Sequence, residues 1–274
     1  MGADASVSAT PSVGTTLGSL TGLGLALLIV VGWLVSLVAL LRGNLTAMPS
    51  SWIGVLTLCS QILMRTFLQT GLFIVAHDAM HGSLLPAVPR WNHRLGRLAL
   101  SLYACLPYSS CHKKHLQHHC YPGTSRDPDF HDGVNVHAAV WYLRFMRSYL
   151  SMPQICGLAA AWIGTAALIA ASSPSTPPTL ALNIALFWML PLVLSSVQLF
   201  LFGTYLPHRL GQAGEDGVHH VESLPLPAFL SLVSCYHFGF HLEHHQHPEA
   251  AWYELPGVHN GRWTHSATTH EQAE

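Results

Sequence analysis

Charge is what this sequence has least of. Asp, Glu, Lys and Arg make up 9% of the 274 residues, against about 25% in an average soluble domain. So few charges cannot cover a water-exposed surface of this size, whereas a lipid-facing surface needs almost none. The formal net charge is −1, which leaves no support for nucleic acid as a partner. The cysteines (Cys59, Cys105, Cys111, Cys120, Cys156 and Cys235) form no C-x-x-C pair and no framework spacing. They read as buried, reduced thiols. Residues 1–17 contain no Lys or Arg and so lack the basic start of a secretory signal. They read as a disordered tail. No dinucleotide fingerprint and no haem-attachment motif appears.

Half of the residues are hydrophobic, and their runs predict four membrane spans. Leu20 to Leu41 carries no charge and is long enough to cross a hydrocarbon core of about 30 Å. Trp52 to Ala76 is interrupted only by Arg65. Ile155 to Ala171 is the third run and Leu180 to Tyr205 the fourth. Between those two, Ser172 to Pro178 breaks the chain and belongs outside the membrane. Two shorter pieces, Leu95 to Leu106 and Leu226 to Phe240, read as re-entrant or interfacial segments. If the N-terminus is cytoplasmic, the spans form two hairpins, and 78–153 and everything beyond 207 are cytoplasmic. Ten of the twelve Lys and Arg residues then lie on that side, which is the orientation the positive-inside rule selects. The fold expected is an all-α integral membrane protein with four transmembrane helices and a cytoplasmic histidine-rich cap. Its membrane domain covers 18–256, with a flexible tail at 257–274.

Histidine is as abundant as charge is scarce: 20 residues, against 12 Lys and Arg together. The same topology delivers every dense histidine group to one side of the membrane. His77 and His81 stand in HDAMH, His115, His118 and His119 in HLQHH, and His241, His244 and His245 in HLEHH. Spacings of three and four place each set on one helical face. Neutral imidazole is a common metal ligand. One zinc takes about four ligands, so eight such histidines can serve two metals. Imidazole suits iron, copper, zinc and nickel alike, and the Glu-x-x-His signature of carboxylate di-iron bundles is absent. His208 in PHR follows the fourth span as His77 follows the second, which makes it a ninth ligand candidate. His112 and His237 extend two of the faces. His131, His219, His220 and His247 are weaker candidates, and His93, His137, His259, His265 and His270 read as solvated.

Metal-bound histidines usually donate their second N–H to a carboxylate or carbonyl. Asp78 and Glu243 inside the boxes, Asp127 and Asp129 in RDPDF just after the second box, and His237 are the candidates for orienting them. Aromatic residues near the boxes are candidates for the wall of a substrate slot, among them Phe73, Tyr103, Tyr108, Phe200, Phe238 and Phe240.

The three boxes resemble those of the membrane fatty-acid desaturase and hydroxylase superfamily. The flanks AHDAMHG, PGTSRDPDFH, FGTYLPHR and CYHFGFHLEHH are similar to those of bacterial β-carotene ketolases, from about Phe73 to Leu255. The resemblance implies a desaturase-like fold, two non-haem irons, O₂ as co-substrate and an external donor such as reduced ferredoxin. It also implies a lipid-dissolved carotenoid substrate and a bacterial inner-membrane location with the metals on the cytoplasmic side. The metal ligands it implies are His77, His81, His115, His118, His119, His208, His241, His244 and His245. The reaction it implies oxidises ring carbon 4 of β-carotene, through echinenone to canthaxanthin, by two hydroxylations and loss of water. Ser125 in PGTSRDPDF departs from the commonest form and leaves ring preference open.

Three alternatives remain at this point. A carotenoid ring hydroxylase or an acyl-lipid desaturase would carry similar boxes. An intramembrane zinc protease would use HDAMH as a variant of H-E-x-x-H, with Asp78 as the general base. A haem protein would use paired axial histidines, which leaves the triplets unexplained.

Overall fold

A computed structural model describes residues 13–44, 50–131, 136–172, 177–209 and 221–262. His219, His220, His265 and His270 lie outside them, as do most of both expected tails. No strand occurs among the described residues.

Among the described residues ten helices follow one another: α1 Val13–Arg42, α2 Trp52–His81, α3 Pro89–Ala104, α4 Tyr108–Cys120, α5 Ala138–Tyr149, α6 Met152–Ser172, α7 Pro177–His208, α8 Ala228–Cys235, α9 His241–Gln246 and α10 Leu255–His259. Four of them, α1, α2, α6 and α7, are long and apolar enough to cross a bilayer. Large apolar side chains on their outer faces stay exposed, such as Leu28 and Val35 of α1, Leu56 of α2, Ile163 and Leu168 of α6 and Val193 of α7. Apolar surface of that extent belongs against lipid, and the chain is an integral membrane protein. α1 starts at Val13 and so takes in part of the stretch read as a tail. α10 continues across the boundary expected at 256. Cys111 and Cys235 are buried, but Cys59, Cys120 and Cys156 are exposed, which corrects the expectation for those three. Cys59 and Cys156 stand on the apolar outer faces of α2 and α6, where a thiol behaves as a small hydrophobe.

Several polar groups inside the bundle pair with one another, where no water is present to satisfy them. Arg65 of α2 is fully buried. Its Nη1 donates to Trp33 O at 2.7 Å and to Ser36 Oγ at 2.9 Å, and its Nε donates to Phe187 O at 2.9 Å. Pro191 explains that last bond: it has no N–H to offer the carbonyl four residues earlier, and the guanidinium takes its place. Gln69 accepts from Trp33 Nε1 and donates to Tyr103 O, both at 2.6 Å. Asn183 of α7 donates to Leu41 O and Gly43 O, which satisfies carbonyls at the end of α1.

α2 lies centrally, packed against α1, α3 and α7. Its end carries the first box, and three devices fix it. Gly82 turns the chain at φ 77, and Ser83 N–H donates to Asp78 O at 3.0 Å. The buried Asn92 of α3 donates to Ala79 O at 2.7 Å.

Candidate metal centre

Each box sits where a helix leaves the bundle or caps it. HDAMH ends α2, HLQHH ends α4, HLEHH forms α9, and His208 ends α7. Within α7, two short π-helical stretches, Ala185–Met189 and Leu201–Tyr205, interrupt the α-helix. The second ends two residues before Pro207, which His208 follows, a local irregularity often found at functional sites.

The nine histidines form two nitrogen clusters. His77, His81, His115, His119 and His244 make one, and His118, His208, His241 and His245 the other. Within each, one ring nitrogen per residue lies within 4.8 Å of all the others. The boxes divide by a simple rule: histidines at i and i+4 go to the same cluster and the one at i+3 to the other. A step of 100° per residue sets i+3 and i+4 on opposite flanks of the i row, so each triplet faces two centres at once. The sequence reading gave each triplet a single face; the structure splits that face in two.

The contacts are close. His81 Nε2 lies 2.6 Å from His115 Nε2, His119 Nε2 2.9 Å from His244 Nε2, and His245 Nε2 3.1 Å from His118 Nε2. His245 Nε2 also lies 3.3 Å from His241 Nε2. The buried Nε2 of His77 has no hydrogen-bond partner, which is costly for a polar atom out of water. Imidazole nitrogens bound to one first-row metal each stand about 2.0–2.1 Å from it, so no two of them are more than about 4.2 Å apart, comparable with the 4.8 Å within which each cluster's nitrogens lie. The donor set therefore fits two such ions, held by nitrogen alone among the described residues.

Electrostatics favour the neutral, metal-binding form of most of these rings. Burial, reinforced by the neighbouring histidines, drives the pKa values of His115, His241, His244 and His245 well below the ordinary imidazole range. His118 differs. Burial pulls it down, but the Asp127 hydrogen bond and the charges of Asp127 and Asp129 push it above the ordinary value. Burial raises Asp127, yet His118 and the backbone N–H groups of Asp129 and Gly123 outweigh it, so this carboxylate stays ionised. Both its oxygens lie 2.9 Å from His118 Nδ1. A carboxylate only accepts, so Nδ1 carries a proton and Nε2 is the ring nitrogen left facing the cluster. Burial, with Asp127 close by, pushes Asp129 up to about 6 against the pull of His118, Tyr149 and Lys114.

The other orienting candidates are placed as follows. Asp78 faces His77 Nδ1 at 3.3 Å and accepts from Trp252 N–H at 3.0 Å, so it ties the segment after α9 to the end of α2. A general base for a protease would need access to a metal-bound water, and this carboxylate is buried with one oxygen on a backbone amide. Glu243 meets no box histidine. It accepts from Ser223 Oγ and lies 2.6 Å from His259 Nδ1, a clamp across the cap. His237 stacks on Phe240 and Trp252, outside both clusters. His93, expected to be solvated, is half-buried and lies 3.0 Å from Tyr108 Oη. Among the slot candidates, Phe73 and Phe238 line a chamber at the clusters, and Phe73 and Tyr103 line an apolar cavity beside it.

Sequence reasoning missed α5. Its Phe145 and Tyr149 line both spaces, Tyr149 Oη donates to Asp129 Oδ1 at 2.7 Å, and Trp141 Nε1 donates to Asp129 O at 2.8 Å. The signal was present: Trp141, Phe145 and Tyr149 recur every four residues, a helical stripe.

The fatty acid desaturase family model matches residues 50–267. The β-carotene ketolase of Paracoccus sp. (strain PC1) is 40% identical over 250 residues, which cover 89% of this chain and 94% of that protein. The β-carotene ketolase of Paracoccus sp. (strain N81106 / MBIC 01143) is 39% identical over 206 residues, 73% of this chain and 78% of that one. The zeaxanthin 4-ketolase of Chlamydomonas reinhardtii is 40% identical over 227 residues, 82% of this chain and 48% of that one. Matched over most of its length, and carrying two buried histidine clusters beneath four apolar helices, the chain belongs to the fatty acid desaturase family as an oxidoreductase homologous to its bacterial and algal β-carotene ketolases.

Proposed function

We propose that this protein is a β-carotene 4-ketolase of the bacterial plasma membrane, with 18–256 as its catalytic unit and its metal centre on the cytoplasmic side. The observation that carries the reading is the pair of histidine clusters, five and four residues, set side by side next to an apolar cavity. Homology to ketolases of carotenoids supports the substrate class, and the bias of Lys and Arg supports the orientation.

In this reading the nine clustered histidines would hold two irons, whose chemistry would be activation of O₂ with electrons from a ferredoxin-type donor. The residues do the rest. Burial favours the neutral form of His115, His241, His244 and His245, so that they present nitrogen, and Asp127 orients His118. Asp78 braces His77, and the apolar walls of the adjoining cavity hold the carotenoid away from water. Each oxidation consumes one O₂, two electrons and two protons, replaces one C4–H by C4–OH and releases water. The second leaves a gem-diol, which loses water to give the ketone. β-Carotene thus passes to echinenone and, after the second ring, to canthaxanthin.

The test is expression in cells that make β-carotene, with chromatography of the pigments. Canthaxanthin is the expected product. A ring-hydroxylated product without ketone would replace this reading with that of a hydroxylase. His118→Ala, His119→Ala, His244→Ala and His245→Ala each abolish the ketone while the protein still inserts. Retained activity in several of them would overturn the ligand assignment.

A further inference from the structure

The chamber bounded by His77, His115, His118 and His241 has a volume of only ≈ 50 Å³. Beside it lies an almost wholly apolar cavity of ≈ 250 Å³. A cavity of about 150 Å³ accommodates benzene, so a methylated six-membered ring fits the second space and not the first. Val193 and Leu150 line the larger cavity and are 55% and 43% exposed, so it reaches the outer surface of the molecule beside α7. Phe73, Phe145, Tyr149 and Leu199 line both spaces and form the constriction between them.

Tyr149 is the one member of that constriction with a polar atom, and it is fastened. Its hydroxyl donates to Asp129 at 2.7 Å, and Lys114 Nζ lies 4.4 Å from its ring centroid. Trp141 in turn donates to the Asp129 carbonyl. Asp127, two residues earlier in the same turn, orients His118. One turn of chain thus fixes both a metal-facing imidazole and the wall at which a ring would stop.

Building on the proposed ketolase reading, we infer that the carotenoid ring lodges in the larger cavity with one edge at this constriction, and that Tyr149, latched by Asp129, is the positioning residue that selects which ring carbon meets the metals. No polar group is needed to bind an all-carbon ring. A rigid wall is needed to stop it in one register, since misplacement by about 1 Å costs up to about a hundredfold in rate.

The test compares the iron-loaded wild type with Tyr149→Phe, Asp129→Leu and the double variant, in lipid nanodiscs with β-carotene. Tyr149→Phe keeps the packing and loses the latch. Iron per chain and KM are expected to stay within about twofold, kcat to fall about tenfold, and products oxidised at other ring carbons to appear beside the 4-ketone. Asp129→Leu gives the same product pattern, and the double variant is no worse than either single one. Wild-type rate and products in Tyr149→Phe would overturn the inference, as would a loss of rate that only tracks loss of iron. A second arm does not depend on turnover. Benzoylphenylalanine placed at 149 cross-links β-carotene on irradiation, and placed at the exposed Tyr121 it does not. Failure to cross-link at 149 overturns the ring placement even if ketone forms. Cross-linking by a protein that makes no ketone refutes the ketolase reading and leaves the placement standing.

Discussion

Asp127 receives two backbone N–H groups and the Nδ1–H of His118, and it spends its charge on holding one imidazole in one tautomer. Asp127→Asn keeps the size of the side chain and removes the charge. Metal affinity is expected to fall about 10–100-fold, the usual cost of removing such a partner; iron retained per chain under chelator competition measures it. An unchanged retention would mean that His118 is oriented by other contacts. The histidine boxes themselves are plain in the sequence, because spacing along one helix is a local property. The division of labour inside them is not. His118 and His119 are neighbours in the chain and belong to different clusters, as do His244 and His245, and only the arrangement of four separate segments decides that. Glu243 is a similar case. Its position within a box pointed to a ligand-orienting role, but its partners Ser223 and His259 come from elsewhere in the chain.

Helices in this bundle approach as closely as their small residues permit. At Gly22 an added Cβ would lie 2.0 Å from Leu84 O, a backbone atom of the loop that follows the first box. At Gly24, two residues along the same helix, nothing lies within 4 Å. Gly22→Ala therefore has to push α1 away from that loop, at a cost of about 1–3 kcal/mol, while Gly24→Ala stays within about 0.5 kcal/mol of wild type. Unfolding midpoints of the two variants in the same detergent give the comparison, and equal midpoints would refute the close approach. The four long helices were legible as apolar runs, one of them broken only by Arg65, within a few residues at most ends. The π stretches of α7 were not, because neither contains a residue that demands one. Pro191 and Pro207 stand just after them, and the carbonyl that Pro191 leaves over is satisfied by a residue 122 positions away.

At the scale of the molecule, the described residues form four long apolar helices with a histidine-rich cap at their ends, and its sidedness is open to direct measurement. Cys120 is exposed at the end of α4, beside the second box. With Cys59 and Cys156 replaced by alanine, a membrane-impermeant maleimide is expected to label Cys120 in inside-out vesicles and not in intact cells. Labelling in intact cells would place the cap on the other face. Composition made the membrane class legible from the start, since no soluble surface can be assembled from so little charge. The lipid-side cavity was hidden, because its walls come from α2, α3, α5, α6 and α7 together and α5 is too short and too polar to register as a span.

Bundle and cap are fastened by different means. Arg65, Gln69 and Asn183 stitch the spans to one another with bonds that require nothing from outside the chain, whereas the nine imidazoles of the cap crowd nitrogen against nitrogen. The bundle is therefore expected to outlast the loss of whatever the cap holds: helical circular dichroism measured in detergent before and after treatment with a chelator stays the same, and a collapse of the helical signal would show that the two halves stand or fall together.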